Sequence, residues 1–182
     1  TGLLFGNLSA HYVSPLVINE KKQAYSVPPT DPRSRTFRNV EQTDAAIDWI
    51  QKQQKRGKPW FATVSTATVH TPMQVPPVNT LPPGSPDANG VDPDSVPGRL
   101  LIADQMIQAM DHEFGRLLVS TNLAKQVGNR LVLTANAANT VIVYVNDNGS
   151  LGSQVRQPFD PYRSKGTPYQ TGVWTPMVVA GP

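Results

Sequence analysis

A chain of 182 residues with 38% hydrophobic and 16% charged residues is long enough to bury one core and too apolar for a disordered segment. Its net charge of +3 is spread over scattered lysines and arginines without interleaved aromatics, which argues against nucleic acid as a partner, and no run approaches the ~20 apolar residues of a membrane span. With no cysteine, disulfides, thiolate zinc sites and a cysteine nucleophile are excluded within these residues.

The first ten residues, TGLLFGNLSA, lack a basic start and a long apolar region, so no signal peptide is visible and the compartment stays open. Asn7-Leu8-Ser9 is a glycosylation triplet of a kind that arises often by chance. Residues 1–38 show no sustained period, and SVPPTDPRSR at 26–35 reads as turn and extended chain. A helix is predicted from Asn39, with Asn39 as cap and Gln42 as its capping-box partner. Ala46, Ile47, Trp49 and Ile50 give it an apolar face, Lys52, Lys55 and Arg56 lie toward its C-terminal end, and Gly57 stops it.

PWFATVST at 59–66 is apolar and β-rich and predicts a buried strand. From Thr71 to Gly98 the chain carries eight prolines and no amphipathic period, which predicts a long surface loop. Residues 99–120 predict the clearest helix, with Ala103, Met106, Ile107, Met110, Phe114, Leu117 and Leu118 on one face. Asp104, Gln105, Gln108, Asp111 and His112 fall away from that face. Residues 121–138 fit either a short strand or a further helical turn. A strand follows at Thr140–Val145, and TPMVVAGP at 175–182 starts another. Strand, loop, helix, strand is the order of a crossover unit, so the expected fold is α/β with a mostly parallel central sheet flanked by helices.

Ligands of such sheets bind beyond the carboxyl ends of the strands. Three candidates lie there. Asp147-Asn148, in Asn146-Asp147-Asn148-Gly149, offers oxygens to a hard cation such as calcium, or simply makes a turn. His70, in VHTP, fits a general acid or a backbone-bonded histidine. Lys165, in RSKGTPY, fits a point charge for an anion or an exposed loop lysine. There is no Gly-x-Ser-x-Gly elbow and no Walker-type phosphate loop.

Four stretches in order resemble the sulfatase family of the alkaline phosphatase superfamily. They are AAIDWIQKQQKRGKPWFATVSTATVHTPMQVP, ADQMIQAMDHEFGRLL, NTVIVYVNDNG and SKGTPYQTGVWTPMVVAGP, and the similarity spans roughly 39–182. The resemblance implies that Asp147 and Asn148 are ligands of an active-site calcium. It implies that His70 helps the leaving oxygen of a sulfate ester depart and that Lys165 binds the sulfate oxygens. The substrate would be a small-molecule or glycan sulfate ester.

The family's formylglycine nucleophile, made from the first residue of Cys/Ser-x-Pro-x-Arg, is expected upstream and outside this chain. So are the paired aspartates that complete the calcium shell. The family's Glu-Gly-Gly reads Gln170-Thr171-Gly172 here, and the span from Asn122 to Ala138 is longer than in the family. Residues 1–182 are accordingly expected to be a partial sulfatase catalytic domain, without the N-terminal nucleophile segment and the C-terminal subdomain, whose partners are the remaining segments of a parent enzyme. A phosphonate or phosphate ester hydrolase of the same superfamily, a non-catalytic binder of sulfated ligands, and a structural domain with no site are the alternatives.

Overall fold

The computed structural model describes residues 2–5, 16–20, 23–26, 30 and 36–182. Three short strands stand where no period was visible: β1 (Gly2–Phe5), β2 (Leu16–Glu20) and β3 (Gln23–Ser26) form an antiparallel sheet in the order β1-β2-β3. Most of the predicted turn at 26–35, and the triplet at Asn7, lie outside the described residues.

Helix α1 runs Arg38–Arg56. Gly57 ends it at φ 63°, a left-handed conformation that costs glycine nothing. Its start differs from expectation. The cap position is Phe37, without a side-chain cap bond, and Asn39 lies inside the helix, 1% exposed. Asn39, Thr43, Ala46, Ile47 and Ile50 share the buried stripe of α1, so Asn39 is drawn into the interior by its register.

Helix α2 runs Val96–Ser120 and organises the rest. Its C-terminal half packs Leu117 and Leu118 against Ala46, Ile47 and Ile50 of α1, with Leu123 and Ala124. Burying side chains of this size contributes about 1.5–3 kcal/mol for each large aliphatic. Its N-terminal half buries Ile102, Ala103 and Met106 against Met73 and Ala88 of the proline-rich loop. That loop is therefore pinned along α2, with a short 3-10 turn at Val78–Thr80. Gln105, expected on the polar side, is 1% exposed, because its amide donates to the Pro86 carbonyl at 2.6 Å. Ile107, expected on the apolar face, is 47% exposed.

The ambiguous stretch after α2 holds both alternatives. Strands β4 (Ala124–Val127) and β5 (Arg130–Leu133) form a hairpin, and a 3-10 turn follows at Ala135–Ala137. Strand β6 (Ile142–Val145) pairs antiparallel with β7 (Met177–Ala180), Val143 opposite Val179. A one-turn helix, α3 (Gln170–Val173), precedes β7. Ile142 packs on the α1/α2 core, and Tyr144 lies 5.7 Å from the Phe114 ring centroid, so alternate residues of β6 face α2.

All ladders among the described residues are antiparallel, whereas the order of elements predicted parallel pairing. The physical reason is local. The partner of β6 is β7, and residues 59–66, the expected parallel neighbour, join no ladder. Nor are they buried: Phe61 is 86% exposed.

Candidate functional site

A groove of about 2390 Å³ runs between α1, α2, residues 57–71 and residues 138–151. His70, Asp147, Asn148 and Lys165 all line it. They come from three separate stretches of chain, and the backbone explains how two of these are held together. Beyond β6, the Gly149 and Ser150 amides donate to the carbonyls of Gly172 and Thr171, both at 3.0 Å, and the Lys165 amide donates to the Ser150 carbonyl at 2.8 Å. The loop carrying Lys165 is thus tied two residues from Asn148.

This close approach requires two glycines. A Cβ on Gly149 would collide with the carbonyl oxygen of Thr171, and one on Gly172 with the carbonyl oxygens of Thr167 and Ser164. Gly172→Ala is expected to destabilise the chain by about 1–3 kcal/mol through overpacking. It should also shift the backbone NMR signals of Ser150 and Lys165; a silent substitution would show that this tie does not set their positions.

The chemistry of the candidates follows from their surroundings. His70 is exposed, its amide donates to Ala67 at 2.8 Å, and its Nδ1 lies 2.7 Å from the Thr71 carbonyl oxygen. Asp147 and Lys165 are exposed, Asn148 half-buried. Among the described residues no ion pair holds the Lys165 ammonium or the Asp147 carboxylate. The other acids that line the groove are engaged: Asp104 pairs with Arg156 at 2.5 Å and Glu113 with Arg116 at 2.5 Å. Burial and the Asp111 charge push the Tyr144 hydroxyl, at the same groove, above its ordinary pKa, so it is a neutral donor there.

For a metal the donors fall short. One carboxylate and one amide at Asp147-Asn148 supply two or three of the roughly six to eight oxygens calcium takes. No group of three His, Asp or Glu side chains gathers among the described residues. Asp147 and Asn148 would fit part of a calcium shell and do not fit a whole one.

Two features escaped the reading of the sequence. Asn39 lines the groove with both amide atoms buried and unpaired, and its place on the apolar stripe of α1 was the available signal. The pattern Ser-x-Pro-x-Arg, expected only outside this chain, does occur in it, at Ser95-Val96-Pro97-Gly98-Arg99. The structure uses it as a helix start. Ser95 caps α2, accepting from the Gly98 amide at 3.2 Å and donating to the Asp92 carbonyl at 2.8 Å, and it does not line the groove. Compared with protein-family models, curated proteins and solved structures, the chain matches none.

Proposed function

We propose that this chain is the central part of a sulfatase-type catalytic domain of the alkaline phosphatase superfamily, an α/β domain whose parent hydrolyses sulfate monoesters. The observation that supports this most is the lining of one groove by His70, Asp147, Asn148 and Lys165 together. Lys165 holds the sulfate oxygens as a point charge. His70 gives a proton to the ester oxygen as the sulfur–oxygen bond breaks, so the alcohol leaves neutral. Asp147 and Asn148 would hold part of a calcium shell, and the ion would supply positive charge beside the sulfate when bound. The nucleophile and the remaining metal ligands come from outside residues 1–182.

A second reading has its own support. The single Ser-x-Pro-x-Arg pattern is engaged as a helix cap, away from the groove. This favours a relative that binds sulfated ligands without cleaving them.

Titration of the isolated chain with 4-nitrophenyl sulfate, followed by NMR, tests the site. Shifts are expected at His70, Thr71, Lys165 and Gly166, without turnover; shifts confined to other surfaces would overturn the proposal. Stronger binding of 4-nitrophenyl phosphate would move the assignment to a phosphate or phosphonate ester hydrolase. Calorimetry with calcium should show no micromolar binding, since two side chains leave most of the roughly six to eight oxygens to water. Micromolar affinity would mean that the chain holds a complete metal site.

A further inference from the structure

The fold gathers cations that lie apart in the sequence. Residues 49–86 carry Lys52, Lys55, Arg56 and Lys58 and no acid, and residues 114–146 carry Arg116, Lys125 and Arg130 and no acid. The Gln51 and Gln54 side chains of α1 donate to the Ser120 and Thr121 carbonyls at 2.8 and 2.9 Å, which holds the cationic end of α1 beside the end of α2. The hairpin of β4 and β5 starts just beyond, at Ala124. Arg116 is committed to Glu113 and Asp44. The other six cations are exposed, and among the described residues none of them makes an ion pair. Arg56 Nη1 donates to the neutral Gln53 side chain at 3.1 Å, which leaves its charge uncompensated.

The register of the hairpin sorts its side chains. Lys125 pairs with Val132, and Val127 with Arg130. Directly opposed residues, and residues two apart on one strand, share a face. Lys125, Val127, Arg130 and Val132 therefore stand on one face, cation and valine alternating. The other face holds Ala124, buried with Leu117 and Leu118, and Leu131, whose Cδ1 lies 3.4 Å from where a Cβ on Gly115 of α2 would sit. The mixed face thus points away from α2, with Val127 52% and Val132 44% exposed.

We infer that this outer face of the β4–β5 hairpin, together with the C-terminal end of α1, docks on an anionic lipid bilayer. Lysines and arginines are drawn to acidic headgroups, and their aliphatic stems and the valines between them enter the interface below. A sulfated glycan or a nucleic acid would match the cations and leave both valines in water, and an apolar protein surface would strand the cations. The inference is independent of the ester-hydrolase reading and uses none of its residues. The hairpin also lies within the span from Asn122 to Ala138, which is longer than in the family the chain resembles.

The test is sedimentation of the whole chain with phosphatidylcholine vesicles, with and without ~30% phosphatidylserine, in ~0.1 M salt. Partition should be at least about tenfold stronger onto the anionic vesicles and should fall steeply as salt is raised. Spin-labelled lipid in those vesicles should broaden the methyl NMR signals of Val127 and Val132 and spare Val78, which is 83% exposed on the proline-rich loop. Lys125→Gln with Arg130→Gln should weaken partition by about tenfold, whereas Lys165→Gln should change it less than about twofold. If the double variant fails to fold, the comparison of vesicles and the broadening pattern of the unaltered chain decide. Equal partition onto neutral vesicles, no partition at all, or unbroadened Val127 and Val132 would overturn the inference. Retention on heparin at a salt concentration that releases the vesicles would make a polyanionic chain the partner and overturn it as well.

Discussion

Arg116→Met is expected to destabilise the chain by about 3–5 kcal/mol, a large share of the ~5–15 kcal/mol that holds a typical domain folded. Glu113 is 2% exposed on α2, one turn from Arg116. Arg116 Nε lies 3.1 and 2.9 Å from its two carboxylate oxygens, Nη1 lies 2.6 Å from Asp44 of α1, and Nη2 donates to the Val40 carbonyl at 3.3 Å. One guanidinium thus clamps α1 to α2 and neutralises a buried acid. Burial works against the charge of Arg116, but hydrogen bonds and attraction from Glu113 and Asp44 outweigh it and hold the group above its ordinary pKa. Removing the cation leaves the Glu113 carboxylate buried, with only the exposed His112 ring at 3.2 Å. The double change Glu113→Leu with Arg116→Met should recover much of the loss, because no charge is then stranded. Asp44→Asn should cost about 1 kcal/mol or less, since Asp44 is 53% exposed and its pair is screened. Urea denaturation of the three variants checks the order. A loss below ~1 kcal/mol for Arg116→Met would mean that water reaches Glu113.

What the sequence made legible was the periodic part. Both long helices carry an apolar stripe over several turns, and Gly57 marks an end that the backbone then uses. Gln105 was misplaced because its burial depends on a partner outside the helix, the Pro86 carbonyl in the proline-rich loop. Asn39 was read as a cap because asparagine favours caps, yet the helix begins before it and carries it inward. Strands β1 to β3 have four or five residues each, too few for a period to show. Residues 59–66 were recognisable as strand-like from composition, but pairing is a property of two segments, and the composition of one says nothing of the other. The site was legible in a different way. Turn chemistry alone explains Asn146 to Gly149, and nothing periodic connects that turn to His70 or Lys165. The expectation that they form one site rests on the order of four motifs, and the bonds from Ser150 to Lys165 and Thr171 show how two of the three stretches meet.

If the proposed sulfatase reading holds, Lys165→Ala in a full-length parent enzyme is expected to lower turnover of an aryl sulfate by about 10²–10³-fold, the usual loss when a donor aimed at developing charge is removed. The Lys165 backbone is fixed by its bond to Ser150, and its ammonium has no ion pair among the described residues, so its charge is available to a ligand. As the sulfur–oxygen bond breaks, charge redistributes over the sulfate and leaving oxygens. A cation held beside them therefore stabilises the transition state more than the bound ester, and the loss should fall mainly on kcat and less on KM. His70→Ala should lose more with a poor leaving group than with 4-nitrophenol, because only a basic leaving oxygen needs its proton. Lys165→Arg should restore little, since a planar fork on a longer side chain does not reproduce a compact point charge. Lys52→Ala, an exposed change on α1, is the control for a general charge effect and should leave turnover within about twofold. If Lys165→Ala and Lys52→Ala have the same small effect, Lys165 is an ordinary loop lysine. The groove would then have to bind its anion through other groups.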